Sequence, residues 1–127
     1  MAVPHLMWDG PERARATLVL AHGAGQPMDS PFMESIAAGV AADGIRVGRF
    51  EFPYMAKRRV KGRKSGPDRA PILCDTWRRV VADINSEVLV VGGKSMGGRI
   101  ATMIADDVAA TGLVCLGYPF HPPGKPE

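Results

Sequence analysis

Two cysteines and three histidines are all that this 127-residue chain offers for soft metal ligation or disulfide formation. Cys74 and Cys115 have neither the close spacing of a metal site nor the density of a disulfide framework, so both are expected to be small buried thiols, one in a helix and one in a strand. No metal and no cofactor is expected. Aromatic residues make up only 6% of the chain, and beyond Tyr54 none is interleaved with its cations, which counts against a stacking platform for nucleic acid. No apolar run approaches the roughly 18 residues needed to cross a bilayer. The first residues, with Pro4, His5 and Asp9, lack the charged-then-apolar order of a signal peptide. The expectation is a cytoplasmic protein with no membrane contact.

What is present is an ordinary globular balance, 46% apolar and 23% charged, enough for a single domain around one core. The net charge of +3 conceals a local concentration, because Lys57, Arg58, Arg59, Lys61, Arg63, Lys64 and Arg69 stand against Asp68 alone in one short stretch. The remainder of the chain is net acidic. Basicity is thus a property of that segment, read as a solvated loop, and nucleic acid is not expected as a partner.

Along the chain, apolar runs alternate with helical periodicities. Asp9-Gly10-Pro11 marks a turn near a small hairpin or edge strand. Ala16 to Ala21 is a nearly continuous apolar run, the pattern of a strand buried on both faces. Ser30-Pro31 starts a helix that runs to about Asp43, with Phe32, Ile36 and Val40 on its apolar stripe and Gly44 as its stop. Ile45 to Phe52 reads as a strand ended by Pro53, and Tyr54 to Pro71 as a long loop without periodicity. A helix follows through Ile72, Leu73, Thr76, Val80 and Ile84, then a buried strand from Glu87 to Val91 and a turn over Gly92 to Gly98. Arg99 to Ala110 forms the last helix and Leu113 to Leu116 the last strand. This alternation predicts an α/β fold with a mostly parallel sheet flanked by helices on both faces, because parallel strands need crossovers and apolar strands need cover.

One turn carries chemistry. Gly93-Lys94-Ser95-Met96-Gly97 fits G-x-S-x-G, a weak pattern alone, but here it follows a strand and precedes a helix. In that context the glycines let the backbone turn sharply, which lifts the Ser95 hydroxyl clear of the sheet and leaves the Met96 amide aimed at a developing oxyanion. A phosphate loop is the rival reading of Gly93-Lys94-Ser95; it fails because the first glycine of that motif would fall on Val88, inside a strand. A second oxyanion donor is expected from the loop after the neighbouring strand, His22-Gly23-Ala24-Gly25, with the Ala24 amide as candidate. His22 itself is read as a structural hydrogen-bonder and not as the base.

Four segments in order, His22-Gly23-Ala24-Gly25, Phe52-Pro53-Tyr54-Met55, Gly93 to Arg99 and Gly117 to Lys125, carry a family likeness. With them the chain resembles the bacterial α/β-hydrolase-like proteins grouped with the testis-expressed and NSL-complex-subunit-3 hydrolase-like proteins, and more distantly the dienelactone hydrolases. The resemblance implies an α/β-hydrolase fold with a serine nucleophile and says little about substrate.

The rest of a catalytic triad is not legible. After Ser95 the acids are Asp106, Asp107 and Glu127, and the single histidine is His121. Asp106 and Asp107 fall in the helix leading away from the turn, and the family pattern places its acid and histidine beyond residue 127. Residues 1–127 are therefore expected to be the N-terminal part of one α/β-hydrolase domain, lacking the C-terminal strands and helices, with His121 as surrogate base. The Leu113 to Leu116 strand would then be an apolar edge against which another copy lies. The function expected is a serine hydrolase of esterase or thioesterase type on a small-molecule acyl substrate, weakly active or inactive as this chain. The alternative is a non-catalytic hydrolase-like scaffold or interaction module.

Overall fold

A computed structural model describes residues 4–62 and 66–117. Five strands form one sheet: β1 (Met7–Asp9), β2 (Ala16–Ala21), β3 (Arg46–Phe50), β4 (Val88–Lys94) and β5 (Gly112–Leu116). Their spatial order is β1-β3-β2-β4-β5. The β3/β2, β2/β4 and β4/β5 pairs are parallel, and β1 runs antiparallel to β3, which makes it the edge strand that Asp9-Gly10-Pro11 suggested. The crossovers are helices α1 (Pro31–Ala41), α2 (Pro53–Lys61), α3 (Ala70–Ala82) and α4 (Met96–Ile104).

The side-chain alternation of β2 divides the core in two. Leu18 and Leu20 point to one face, where they meet Val47 and the Met33 and Ala37 stripe of α1. Val19 and Ala21 point to the other, into a larger cluster built on Phe50, Phe52, Trp77, Val91 and Ile100. Phe50 stands edge-on to both Phe52 and Trp77, with ring centroids 5.2 and 4.8 Å apart. Because β2 is covered on both faces its run is apolar apart from Thr17, whereas β3 admits Arg49, buried but held by Glu34 and Asp9 at 3.0 and 2.9 Å. Ser30 caps α1 by accepting the Met33 amide at 3.3 Å.

Several boundaries differ from the sequence reading, β3 being shorter at both ends than the expected Ile45 to Phe52. The expected loop from Tyr54 begins as helix α2, with Pro53 as its first residue and Gly62 at φ 70° as its left-handed end. Proline at that position starts a helix as well as it ends a strand. No apolar stripe marks α2, since only its first turn, Tyr54 and Met55, is buried; a carboxylate oxygen of Asp68 accepts the Tyr54 amide and caps the first turn. Strand β4 extends to Lys94, so the turn expected over Gly92 to Gly98 contracts to Ser95. Helix α4 starts at Met96, not at Arg99, and its regular part ends at Ile104, well before Ala110.

The α1 face of the sheet carries an open apolar groove of about 370 Å³ lined by Leu18, Leu20, Ile36, Val40, Val90 and Val114, among others. Among the described residues no helix is long and apolar enough to cross a membrane.

Candidate functional site

The turn between β4 and α4 compresses into a single residue. Ser95 has φ 51° and ψ −113°, a region that non-glycine residues avoid. Such a conformation costs about 1–3 kcal/mol and persists only where its surroundings over-determine it. Here the Ser95 amide donates to the Leu116 carbonyl of β5 at 2.7 Å, and the Ser95 carbonyl accepts the Arg99 amide at 3.0 Å. Four glycines let the neighbouring backbones close in. A Cβ on Gly93 would stand 2.4 Å from the Ala21 carbonyl oxygen, one on Gly97 2.4 Å from that of His22, and one on Gly98 2.7 Å from that of Gly93. On the other side a Cβ on Gly92 would meet the Val114 carbonyl oxygen at 2.1 Å. The glycine pattern is thus a packing requirement between β2, β4, β5 and α4, and the strained serine is its consequence. Ser95 remains half-buried at the carboxyl end of the sheet, with the first amides of α4, Met96 among them, left without helical acceptors.

The neighbouring strand β2 delivers the second element. After Ala21 the chain passes through His22 and Gly23 into exposed Ala24 and Gly25. The side of Gly23 that a Cβ would occupy faces the Lys94 carbonyl oxygen at 3.4 Å and Ser95 Cβ at 3.8 Å. Ser95, Met96 and the Gly23-Ala24 segment therefore share one rim, as the motif reading expected of their elements.

His22 is fully buried and both its ring nitrogens are engaged. Nδ1 lies 2.6 Å from the Gly23 carbonyl oxygen and donates to it, which leaves Nε2 to accept the Phe52 amide at 3.2 Å. Burial holds its pKa below the ordinary histidine value, so the ring is neutral. Tyr54 packs edge-on to His22, with ring centroids 5.7 Å apart, and its hydroxyl donates to the Ala24 carbonyl at 2.9 Å. Burial pushes the Tyr54 hydroxyl pKa up to about 12. Arg58, one turn further along α2, donates to the Gly25 carbonyl at 3.2 Å.

Tyr54 and Arg58 were hidden by the loop reading. Their four-residue spacing on a segment opened by Phe52-Pro53 was the available signal. The basic segment is likewise structural in part: Arg59 binds both Glu51 and Asp29, at 2.7 and 2.8 Å, which holds the Asp29 carboxyl below the usual range. Lys94, the residue before the turn, places its ammonium 5.1 Å from the centroid of the Phe32 ring.

Elsewhere the sequence candidates separate. Asp107 pairs with Arg78 at 2.9 Å on the α3–α4 surface. His121 lies outside the described residues, as do Tyr118 to Glu127 as a whole. Cys74 is buried in α3 and Cys115 half-buried in β5, both free thiols. Among the described residues no three of the His, Cys, Asp and Glu side chains gather as a metal site would require.

Comparison with known proteins agrees with this geometry. The crystal structure of XC6422 from Xanthomonas campestris, described as a serine hydrolase without a lid, superposes with a TM-score of 0.73 at 21% identity, over 90% of this chain and 55% of that one. The thioesterase domain from the curacin biosynthetic pathway superposes with a TM-score of 0.63 at 22% identity, over 84% of this chain and 38% of that one. The chain thus spans about half the length, or less, of these solved structures, and at such identities the likeness is one of fold. A sequence-family model, the alpha/beta hydrolase domain, matches residues 14–127. With nearly the whole chain inside that match, the protein belongs to the alpha/beta hydrolase domain family.

Proposed function

We propose that this chain carries the nucleophile and the oxyanion site of a serine hydrolase of esterase or thioesterase type. The single observation that carries the reading is the left-handed Ser95 between β4 and α4. Strain of this kind gathers at functional sites; Ala109, the other described non-glycine residue at positive φ, lies in the turn after α4, whereas Ser95 stands at the carboxyl end of the sheet beside Gly23. The Ser95 Oγ attacks the acyl carbon and its proton passes to a base; the carbonyl oxygen becomes negative and is held by the Met96 and Ala24 amides. Collapse expels the alcohol or thiol with that proton, leaving an acyl-serine that water hydrolyses.

Of the described histidines, His5 precedes β1 at the far edge of the sheet, and His22 is committed to two backbone partners. The base therefore falls to His121, or to a histidine and acid supplied by chain beyond residue 127. A small-molecule acyl substrate is the class this chemistry would take, and the resemblance to the testis-expressed and NSL-complex-subunit-3 hydrolase-like group supports the serine nucleophile without saying what that substrate is. The commitment of both His22 ring nitrogens to backbone partners favours one rival, a hydrolase-like scaffold that does not turn over substrate.

A fluorophosphonate probe separates the two. Stoichiometric labelling at Ser95, abolished by Ser95→Ala, is the expected result for the nucleophile, in this chain if His121 is the base and in one extended past residue 127 if the base lies there; folded protein left unlabelled in both forms fits the scaffold instead. His121→Ala tests the surrogate base: loss of any esterase burst with an activated ester is expected, and an undiminished burst dismisses that role.

A further inference from the structure

Three consecutive carbonyls, those of Gly23, Ala24 and Gly25, are each taken by a side chain. His22 Nδ1 donates to the first at 2.6 Å, the Tyr54 hydroxyl to the second at 2.9 Å, and Arg58 to the third at 3.2 Å. The Tyr54 hydroxyl also lies 3.5 Å from the Gly23 carbonyl oxygen, so it sits between two of the three. Tyr54 and Arg58 stand four residues apart in α2 and so share a helix face. The donors therefore come as a row matched to the strap.

A trans peptide sets each carbonyl and the following N–H on opposite sides. No cis bond interrupts the described chain, so the amides after these carbonyls, those of Ala24, Gly25 and Gln26, turn away from His22, Tyr54 and Arg58. None of the three has a backbone or side-chain acceptor among the described residues. We infer that the Tyr54 hydroxyl is a positioning group for the hydrolase reaction: shared between the Ala24 carbonyl at 2.9 Å and, at 3.5 Å, the Gly23 carbonyl, whose peptide carries the Ala24 N–H, it joins His22 Nδ1 in keeping the Ala24 amide presented as an oxyanion donor beside Ser95, with Arg58 on the Gly25 carbonyl behind.

The latch is needed because of what flanks Ala24. Gly23 and Gly25 tolerate many backbone conformations, so an unpinned strap can rotate a peptide and present a carbonyl where the donor belongs. An oxygen there repels the oxyanion that the amide would stabilise. Tyr54 is 2% exposed and its ring is fixed against His22, so the hydroxyl loses little freedom in making the bond. Its raised pKa keeps it a donor across neutral and alkaline pH.

The inference rests on the reading of Ser95 as nucleophile, and the test separates the two. The whole chain and its Tyr54→Phe variant are compared by the kinetics of labelling with an aryl phosphonate, and by the Ala24 amide resonance in ¹H–¹⁵N spectra. Phenylalanine keeps the ring packing, so the variant is expected to fold with its thermal midpoint little changed. Expected are a fall in the maximal labelling rate of about 10- to 100-fold with an unchanged half-saturating concentration, and a displaced Ala24 resonance. Arg58→Gln, which releases the Gly25 carbonyl, is expected to give a smaller fall of about three- to tenfold and serves if Tyr54→Phe does not fold. Labelling of the unaltered chain with no fall in either variant overturns the inference and leaves the nucleophile in place. If neither this chain nor one extended past residue 127 labels at Ser95, the nucleophile reading and this inference fall together.

Discussion

Ser95 shows how a local cost is imposed by its neighbours. The conformation at φ 51° is one that glycine adopts without penalty, so Ser95→Gly is expected to stabilise the fold by about 1–2 kcal/mol while removing all probe labelling. Urea denaturation and labelling measured on one preparation check both halves. The flanking glycines predict the opposite. Gly97→Ala puts a Cβ 2.4 Å from a backbone oxygen that cannot move without shifting β2, and a loss of about 3 kcal/mol is expected. Gly25→Ala meets nothing within 4 Å and is expected to be near neutral in the same titration. All of these glycines look alike in the sequence, and G-x-S-x-G was legible only as a pattern. Which of them is indispensable depends on the distance to another strand.

His22 adds a pH dependence at the same scale. Burial lowers its folded pKa below the ordinary histidine value of about 6.5, so the unfolded chain binds the proton more readily. Its contribution is fully present above about pH 6.5 and is lost as pH falls from there through the folded pKa, with a slope of at most about 1.4 kcal/mol per pH unit. Thermal midpoints between pH 7.5 and 5 should decline, and His22→Gln should flatten the decline. A midpoint that rises on acidification would contradict the neutral, doubly bonded ring.

Among the elements, α2 was the one the sequence did not disclose. Alternation and apolar runs identified β2, β4 and α3 because each buries a face or both faces; α2 buries one turn and exposes the rest, leaving no period to read. Its position comes from outside itself, through Asp68 on the Tyr54 amide and Glu51 and Asp29 on Arg59. Glu51 is 6% exposed, so Arg59→Ala leaves a nearly buried carboxylate with its charge partner gone. A loss on the order of 1–2 kcal/mol is expected, whereas Lys61→Ala, on the exposed end of α2, should change little. Denaturant midpoints of the two variants make the comparison.

For the whole molecule, β1 and β5 are the two edge strands of the sheet among the described residues. At the β5 side, Leu113 is exposed and the groove over Val90 and Val114 is apolar. We propose that two copies pair through β5, since a parallel edge strand next to an apolar face favours association. Light scattering at rising concentration checks this; a monodisperse monomer throughout would count against it, and Val114→Lys, placing a charge in the groove, should shift the balance toward monomer.

Apart from α2, the order of strands and helices, the mostly parallel sheet and the serine at its turn followed from the sequence alone, because burial on both faces and abrupt glycine clusters leave marks in consecutive residues. The strand order, the strain at Ser95, and the assembly of the His22-to-Gly25 strap with Tyr54 and Arg58 were decided in three dimensions. Those contacts join residues some thirty positions apart through backbone carbonyls, and a carbonyl is the same at every position of a sequence.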